Sequence, residues 1–458
     1  METKIGEEVK KNLGEGQDEQ PIQIILPAKG KLISEFASEV ANIMKEKRKL
    51  FYRINTRDIV EIGMIKLQKD GSEMYYGFRI VTPPRFITVC EQFFEPVTQK
   101  IDFGSNIFLL KKSMGSELAN ILLASEKLQH SLPQVIRIFT VPLPILYNNE
   151  LTFPKKGYDA RFSSWCPHDS PEINNEKMTL EEAKEIIEKI FKGFCFKTNE
   201  DKDMAIAALL TPFLRGLYPS FSTRTPVFFY EANRERAGKD YCAGIVGILY
   251  ENYAIQDPPI STSENAKTNN TDELRKRILA ALISGRKRIH FSNNKGFINN
   301  AVFEAVTTAE TYSDRILGKS ETITFDNELD FSLSGNTGVG YTADFANRCR
   351  FIKLFLDIED ANSRIFEISD LHKWVKEHRS DILSALWTLI RNWFEKGKVP
   401  GKVPFTSFPE WASICGGIME SAGYTNPCTA DLDVSLIGGD NESSDMKALF
   451  ALCYLKHP

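Results

Sequence analysis

The sequence predicts an α/β fold at its centre, preceded by an α+β region and followed by helices. Two observations carry this. From Pro226 onward, short apolar runs alternate with helix-length segments, the pattern of strands joined by crossover helices in one sheet layer. One junction in that region, the apolar strand Pro226–Tyr230, the loop Glu231–Asp240 and the helix Tyr241–Tyr250, has the layout of a phosphate-binding P-loop.

The remaining elements follow in order. Met1–Gln20 is polar and acidic and reads as a disordered leader (1–21), not an export signal. Residues 22–170 read as an N-terminal α+β domain. Ile33, Phe36, Val40, Ile43 and Met44 give Leu32–Arg48 helical spacing, and Leu118–Gln129 reads as a second helix. Phe51–Arg53, Ile59–Ile65 and Tyr75–Val81 read as strands, with Lys69–Ser72 as a turn. The segment His168–Lys177 is rich in Ser, Pro, Asn and charge, and residues 171–177 form the expected linker. A capping box, Thr179 with Glu182, opens a helix over Ala183–Phe194, and Glu200–Leu217 reads as another.

The α/β core spans 178–360. Beyond the P-loop-like junction it holds helices at Asp272–Ser284 and Asn299–Thr308, and strands at Arg288–Phe291, Asp330–Leu333 and Phe351–Leu356. A helical lid, 361–458, contains Leu371–Arg379, Ile382–Trp393 and Pro409–Ala422.

Composition bounds the function. The chain has 458 residues, 42% hydrophobic and 26% charged, ordinary for a water-facing protein able to bury a core. Its net charge of −4 supplies no global basic field, so any nucleic-acid contact must come from local loops. No apolar run is long enough to cross a bilayer. The eight cysteines (90, 166, 195, 242, 349, 415, 428, 453) form no CxxC pair, which suggests reduced thiols and a cytoplasmic location. Cys166 and His168 have the spacing of half a metal site, but no second half is visible.

The chemistry centres on Lys239. In a P-loop, the loop amides and helix N-terminus direct positive dipoles at phosphate oxygens, and the lysine neutralises the terminal phosphates. Asn233 stands where the pattern has its first glycine, followed later by Ala237, Gly238, Lys239, Asp240 and Tyr241. Asp240 occupies the position of the magnesium-binding hydroxyl. Downstream, Arg288–Phe291 leads to Ser292 and Asn293, where an acidic pair is expected. One reading is that hydroxyl and carboxylate have changed places, with Asp240 on Mg²⁺ and Ser292 in the outer shell. The alternatives are a degenerate nucleotide site kept for structure, or a plain surface turn.

The order of these segments resembles the AAA+ helicases of mobile genetic elements: staphylococcal cassette helicases and the superfamily-3 and MCM-like proteins of phages and plasmids. The resemblance covers Ile22 to the C-terminus and is most specific over Pro226–Asp357. It is carried by Ala232–Asp240, Asp314–Ser320, Leu333–Asn336 and Asp344–Arg350.

That resemblance implies an ATP- and Mg²⁺-dependent DNA helicase or translocase, assembled as a homo-oligomeric ring, a hexamer, on single-stranded or forked DNA. It implies that Asn336 orients the attacking water, as a sensor-1 residue, and that Arg348 is an arginine finger reaching the neighbouring subunit. Arg379 matches sensor 2 more weakly; the alternative is a solvated helix charge. Lys319 falls in the hairpin that would reach DNA; the alternative is an ordinary surface hairpin. Arg275–Arg277 and Arg286–Arg288 read as solvated faces. No acidic residue fills the usual general-base position, with Glu231 and Glu304 the nearby carboxylates. This leaves a second reading, a relative that binds ATP and DNA without turnover.

Overall fold

The computed structural model describes residues 22–28, 30–66, 74–101, 103, 106–174, 178–260, 269–316, 321–357 and 366–429. Two compact units divide the chain. One takes in residues up to Ile62 together with Arg79–Val135; the other takes in Gly63–Phe78 and everything from Ile136. The expected leader, the Lys69–Ser72 turn, most of the 171–177 linker's end and the lid beyond Thr429 lie outside the described residues.

In the first unit, Ile33–Lys47 is helical as its spacing requires, with Phe36, Ala37, Val40, Ala41 and Met44 buried along one face. Phe51–Arg53 pairs antiparallel with Asp58–Val60 and parallel with Gln134–Val135. Ile22–Ile25 pairs parallel with Phe94–Val97, whose strand continues antiparallel to Ile107–Lys111. The single helix expected over Leu118–Gln129 is two, Ser116–Leu123 and Glu126–Ser131. Ser125 breaks it by adopting an extended backbone, with φ −74° and ψ 117°.

The larger unit carries the sheet. The elements that build and flank that sheet are, in chain order, helices α1 (Leu180–Phe191) and α2 (Asn199–Leu210), strand β1 (Val227–Ala232), helices α3 (Lys239–Glu251) and α4 (Asn269–Ser284), and strand β2 (Arg288–Asn294). There follow α5 (Ala301–Thr308), β3 (Thr311–Arg315), β4 (Thr322–Asp326), β5 (Asp330–Asn336), α6 (Ala343–Ala346), β6 (Cys349–Leu354), α7 (Leu371–Glu377), α8 (Arg379–Glu395) and α9 (Pro409–Ser421). The Thr179 hydroxyl accepts from the Glu182 amide at 3.2 Å, so the capping box opens α1 as expected. The helix expected over Glu200–Leu217 ends at Leu210. Pro212 lacks an N–H to continue it, and the chain tightens into a 3₁₀ turn over Thr211–Leu214.

Strands β2, β5, β1 and β6 lie in that order, and every pairing is parallel. Such a sheet must be covered on both faces, which is why every residue of β1 is buried. Phe228 and Tyr230 face a core with α1, α2, α3, α8 and α9. Val227 and Phe229 face the opposite core, with Leu274, Ile278 and Leu282 of α4, Phe303 of α5 and Phe345 of α6. Between β2 and β5, strands β3 and β4 form the expected antiparallel hairpin. Its tip, including Lys319, lies outside the described residues.

Candidate nucleotide site

Strands β1 and β5 are neighbours whose outgoing connections leave on opposite faces of the sheet. After β1 the chain enters α3, packed in one core; after β5 it enters α6, packed in the other. Parting connections open a crevice at the carboxyl ends of parallel strands, the place where α/β folds bind ligands. Lys239 and Asn336 stand on its two sides, at the start of α3 and the end of β5.

The turn into α3 is built for close backbone approach. Arg236 and Gly238 both adopt positive φ, 61° and 95°. Left-handed residues set two apart give the alternating handedness from which anion-binding backbone nests are made. Arginine rarely adopts this conformation, so the loop holds Arg236 under strain. The N-cap of α3 is Gly238, which has no side chain to cap the first turn, a helix start suited to an outside acceptor. Lys239 is buried at the first helical position.

Asp240 is fixed from two sides. Its Oδ1 accepts from the Ser334 hydroxyl and lies 3.3 Å from Nε2 of His290. Its Oδ2 lies 3.7 Å from the Lys239 ammonium. Burial alone would raise this carboxyl, but hydrogen bonds from His290 and Ser334 and the adjacent charge of Lys239 hold it below the usual aspartate range. His290 moves the other way: burial outweighs the pull of Asp240, so its pKa falls and the ring is neutral at pH 7.

A charged carboxylate oxygen beside Lys239 fits a nucleotide-bound Mg²⁺, which takes one or two protein carboxylates and fills its shell with water and phosphate. Among the described residues no cluster of three or more His, Cys, Asp or Glu could hold a metal unaided.

Asn336 has its Oδ1 buried without a hydrogen-bond partner among the described residues. Leaving a buried amide oxygen unmatched costs about 1–3 kcal/mol, so it marks a position awaiting a donor. Beside the turn opens a cavity of about 400 Å³ lined by Phe194, Ala237, Gly238, Tyr241 and Phe366, with Lys189, Lys192 and Arg236 also on its wall. The Tyr241 ring stacks on His372 of α7, centroids 3.7 Å apart, and the Tyr241 carbonyl accepts from His372 Nε2 at 2.8 Å.

The other expected residues fall elsewhere. Asn233 does not face the crevice; its side-chain amide is bound to the backbone of Leu356. Ser292 is buried but is not a partner of Asp240, and its amide donates to the Asp257 carbonyl at 3.0 Å. Asn293 is exposed at φ 55°, its amide donating to Ser334 at 3.1 Å. Arg348 is engaged within its own chain, by Asp344 at 2.7 Å and by the Glu304 carbonyl. Arg379 caps the far end of α3, donating to the Leu249 carbonyl at 2.8 Å. Ten residues of helix put it about 15 Å from Lys239, so it serves the helix C-terminus and not the phosphates.

Cys166 donates to Ser170 at 3.4 Å and is buried, which gives it a partner other than a metal. No helix among the described residues is long and apolar enough to cross a membrane.

No family model matches the chain, and no curated protein matches it. Among solved structures it is similar to the apo form of the NrS-1 C-terminal region, at TM-score 0.38 and 11% identity over 84% of this chain and 74% of that one. A second apo structure of that region gives 0.31 and 10% over 66% and 69%. The SCCmec type IV Cch, described as an active helicase, gives 0.32 and 10% over 84% and 76%. These likenesses are distant, and the reading of the site rests on its own geometry.

The residues that sequence reasoning missed are His290, Ser332 and Ser334. Their signal was present: polar residues at alternate positions in β2 and β5, where a fully buried strand otherwise admits only apolar ones.

Proposed function

We propose that this chain is an ATP-dependent helicase or translocase acting on DNA, of the kind that serves the replication of mobile elements. The carrying observation is the pairing, across one switch-point crevice, of a buried Lys239 at an uncapped helix start with the unmatched Oδ1 of Asn336. The triphosphate would lie along the Arg236–Lys239 turn, with the nucleoside in the aromatic-lined cavity beside it. Mg²⁺ would be held through Asp240 Oδ2 and supply charge neutralisation of the phosphates. Asn336 would orient water toward the terminal phosphate. Assembly into a ring, with Arg348 reaching a neighbour, and DNA contact through the hairpin around Lys319 belong to the same reading.

Binding of a fluorescent ATP analogue, and phosphate release with and without single-stranded DNA, test it on the full chain. The expected results are micromolar binding, DNA-stimulated release, and loss of affinity by about tenfold or more in Lys239→Ala. Unchanged binding in that variant would overturn the proposal.

A second reading has its own support. Strand β2 ends in Ser292, Asn293 and Asn294 without a carboxylate, and Arg348 is tied to Asp344 and Glu304 of the same chain. Both favour a nucleotide-binding assembly factor that does not hydrolyse. Tight binding without phosphate release, with or without DNA, is its signature.

A further inference from the structure

The polar residues behind Asp240 form a chain whose donor and acceptor roles are all determined. Arg288 can only donate, and its Nη2 lies 3.4 Å from the Ser332 hydroxyl. That hydroxyl accepts from Arg288 and lies 2.9 Å from Nδ1 of His290. The Asp240 carboxylate can only accept, so the imidazole carries its proton on Nε2, 3.3 Å from Oδ1, and Nδ1 of the neutral ring accepts from Ser332. The second support has the same logic. The Asn293 amide donates to the Ser334 oxygen at 3.1 Å, so the Ser334 hydroxyl proton is left for Asp240.

Two donors thus converge on one oxygen of the carboxylate. They saturate Oδ1 and fix the plane of the group, leaving Oδ2 as the oxygen directed toward the Lys239 side of the crevice. An aspartate at the start of a helix otherwise rotates freely about its side-chain bonds. Metal ligands are oriented by such outer hydrogen bonds, and losing one commonly weakens metal affinity about 10- to 100-fold.

We infer that His290 and Ser334 are positioning residues that orient Asp240 so that Oδ2 binds the divalent cation of a metal–nucleotide complex. This takes over the outer-shell role that sequence spacing assigns to Ser292. The inference rests on the nucleotide reading above, since the cation arrives with its phosphates.

The test is a titration of the full-length protein with fluorescent ATP analogue at a series of Mg²⁺ concentrations and in EDTA, with thermal melting as a fold check. Two His290 variants separate positioning from packing. In His290→Gln the amide nitrogen reaches the place of Nε2 and keeps the bond to Asp240. In His290→Asn the amide reaches only the place of Nδ1, where its oxygen accepts from Ser332, and the bond to Asp240 is lost. Ser334→Ala and Ser334→Thr make the matching pair, the threonine retaining its hydroxyl.

The expected result is an Mg²⁺ midpoint shifted up by about tenfold in His290→Asn and Ser334→Ala. His290→Gln and Ser334→Thr stay near wild type, and affinity in EDTA is the same for all. Equal shifts in both members of each pair, or none in any, would overturn the positioning role. If wild type binds no nucleotide, or Lys239→Ala binds it unchanged, the nucleotide reading falls first. Should a His290 variant fail to fold, the Ser334 pair decides alone.

Discussion

Asn233 and Leu356 hold each other through two hydrogen bonds. The Asn233 Nδ2 donates to the Leu356 carbonyl at 3.1 Å, and its Oδ1 accepts the Leu356 N–H at 2.8 Å. The amide therefore acts as one more rung between the loop after β1 and the chain after β6. Asn233→Ala leaves a backbone donor and acceptor unmatched and should cost about 1–3 kcal/mol in urea unfolding. Asn233→Gly, which restores the usual glycine of the phosphate-loop pattern, should cost as much and bring no gain in nucleotide affinity. A tighter-binding glycine variant would show that Asn233 blocks the site.

Glu328 is buried between Arg137, at 2.9 Å, and Lys287. Burial alone would raise its carboxyl, but the two cations bring it down to about 2. A carboxyl depressed on folding stabilises the protein above its unfolded pKa of about 4.3. That contribution is lost as pH falls through the window from about 4.3 to about 2. Glu328→Gln should cost about 3 kcal/mol at pH 7, and less as the pH of the unfolding measurement is lowered through that window. A pH-independent difference would show that the charge pair is not what the substitution removes.

Gly244 sits on α3 where His372 packs against the helix. A methyl group there would stand 2.9 Å from Cε1 of His372 and 3.1 Å from Cβ of Ala254. Gly244→Ala should lower stability by about 1–3 kcal/mol. It should also weaken binding of the ATP analogue, because displacing His372 removes the ring that stacks on Tyr241. If melting temperature falls while affinity is kept, α7 does not support the cavity wall.

Arg348 separates the two functional readings. Its ties to Asp344 and the Glu304 carbonyl predict a loss of about 1–2 kcal/mol for Arg348→Ala in thermal unfolding. Lysine should not replace it, since one ammonium cannot serve both partners in a fork. In a motor, phosphate release is lost as well while analogue affinity is retained. In a binding factor only the melting temperature moves.

Much of the fold was legible because its signals are local. The alternation from Pro226 to Leu356, the Thr179–Glu182 box and the apolar spacing of α8 each depend on neighbours in sequence. The strand-to-helix turn at Gly238 and Lys239 was legible too, from the apolar run before it and the helix after it. What spacing could not show was which polar groups meet across strands. Asp240 meets Ser334 and His290 because β5 lies between β1 and β2, a fact of sheet order and not of sequence distance. Position alone therefore paired Asp240 with Ser292. Arg379 was misjudged for a related reason. Its place in the lid helices suggested the phosphates, but α8 approaches α3 at the end remote from Lys239.

The parallel sheet also dictates an order of events during synthesis. Phe228 pairs with Ser332 and Val227 with Cys349, so the strand leading to the lysine turn must wait for partners about a hundred residues downstream, and sheets of such non-local contacts close slowly. Until Cys349–Leu354 has left the ribosome, an apolar strand with a bare edge stands open to other chains. A nascent chain stalled before that point should need chaperone protection, and a fragment ending there should aggregate.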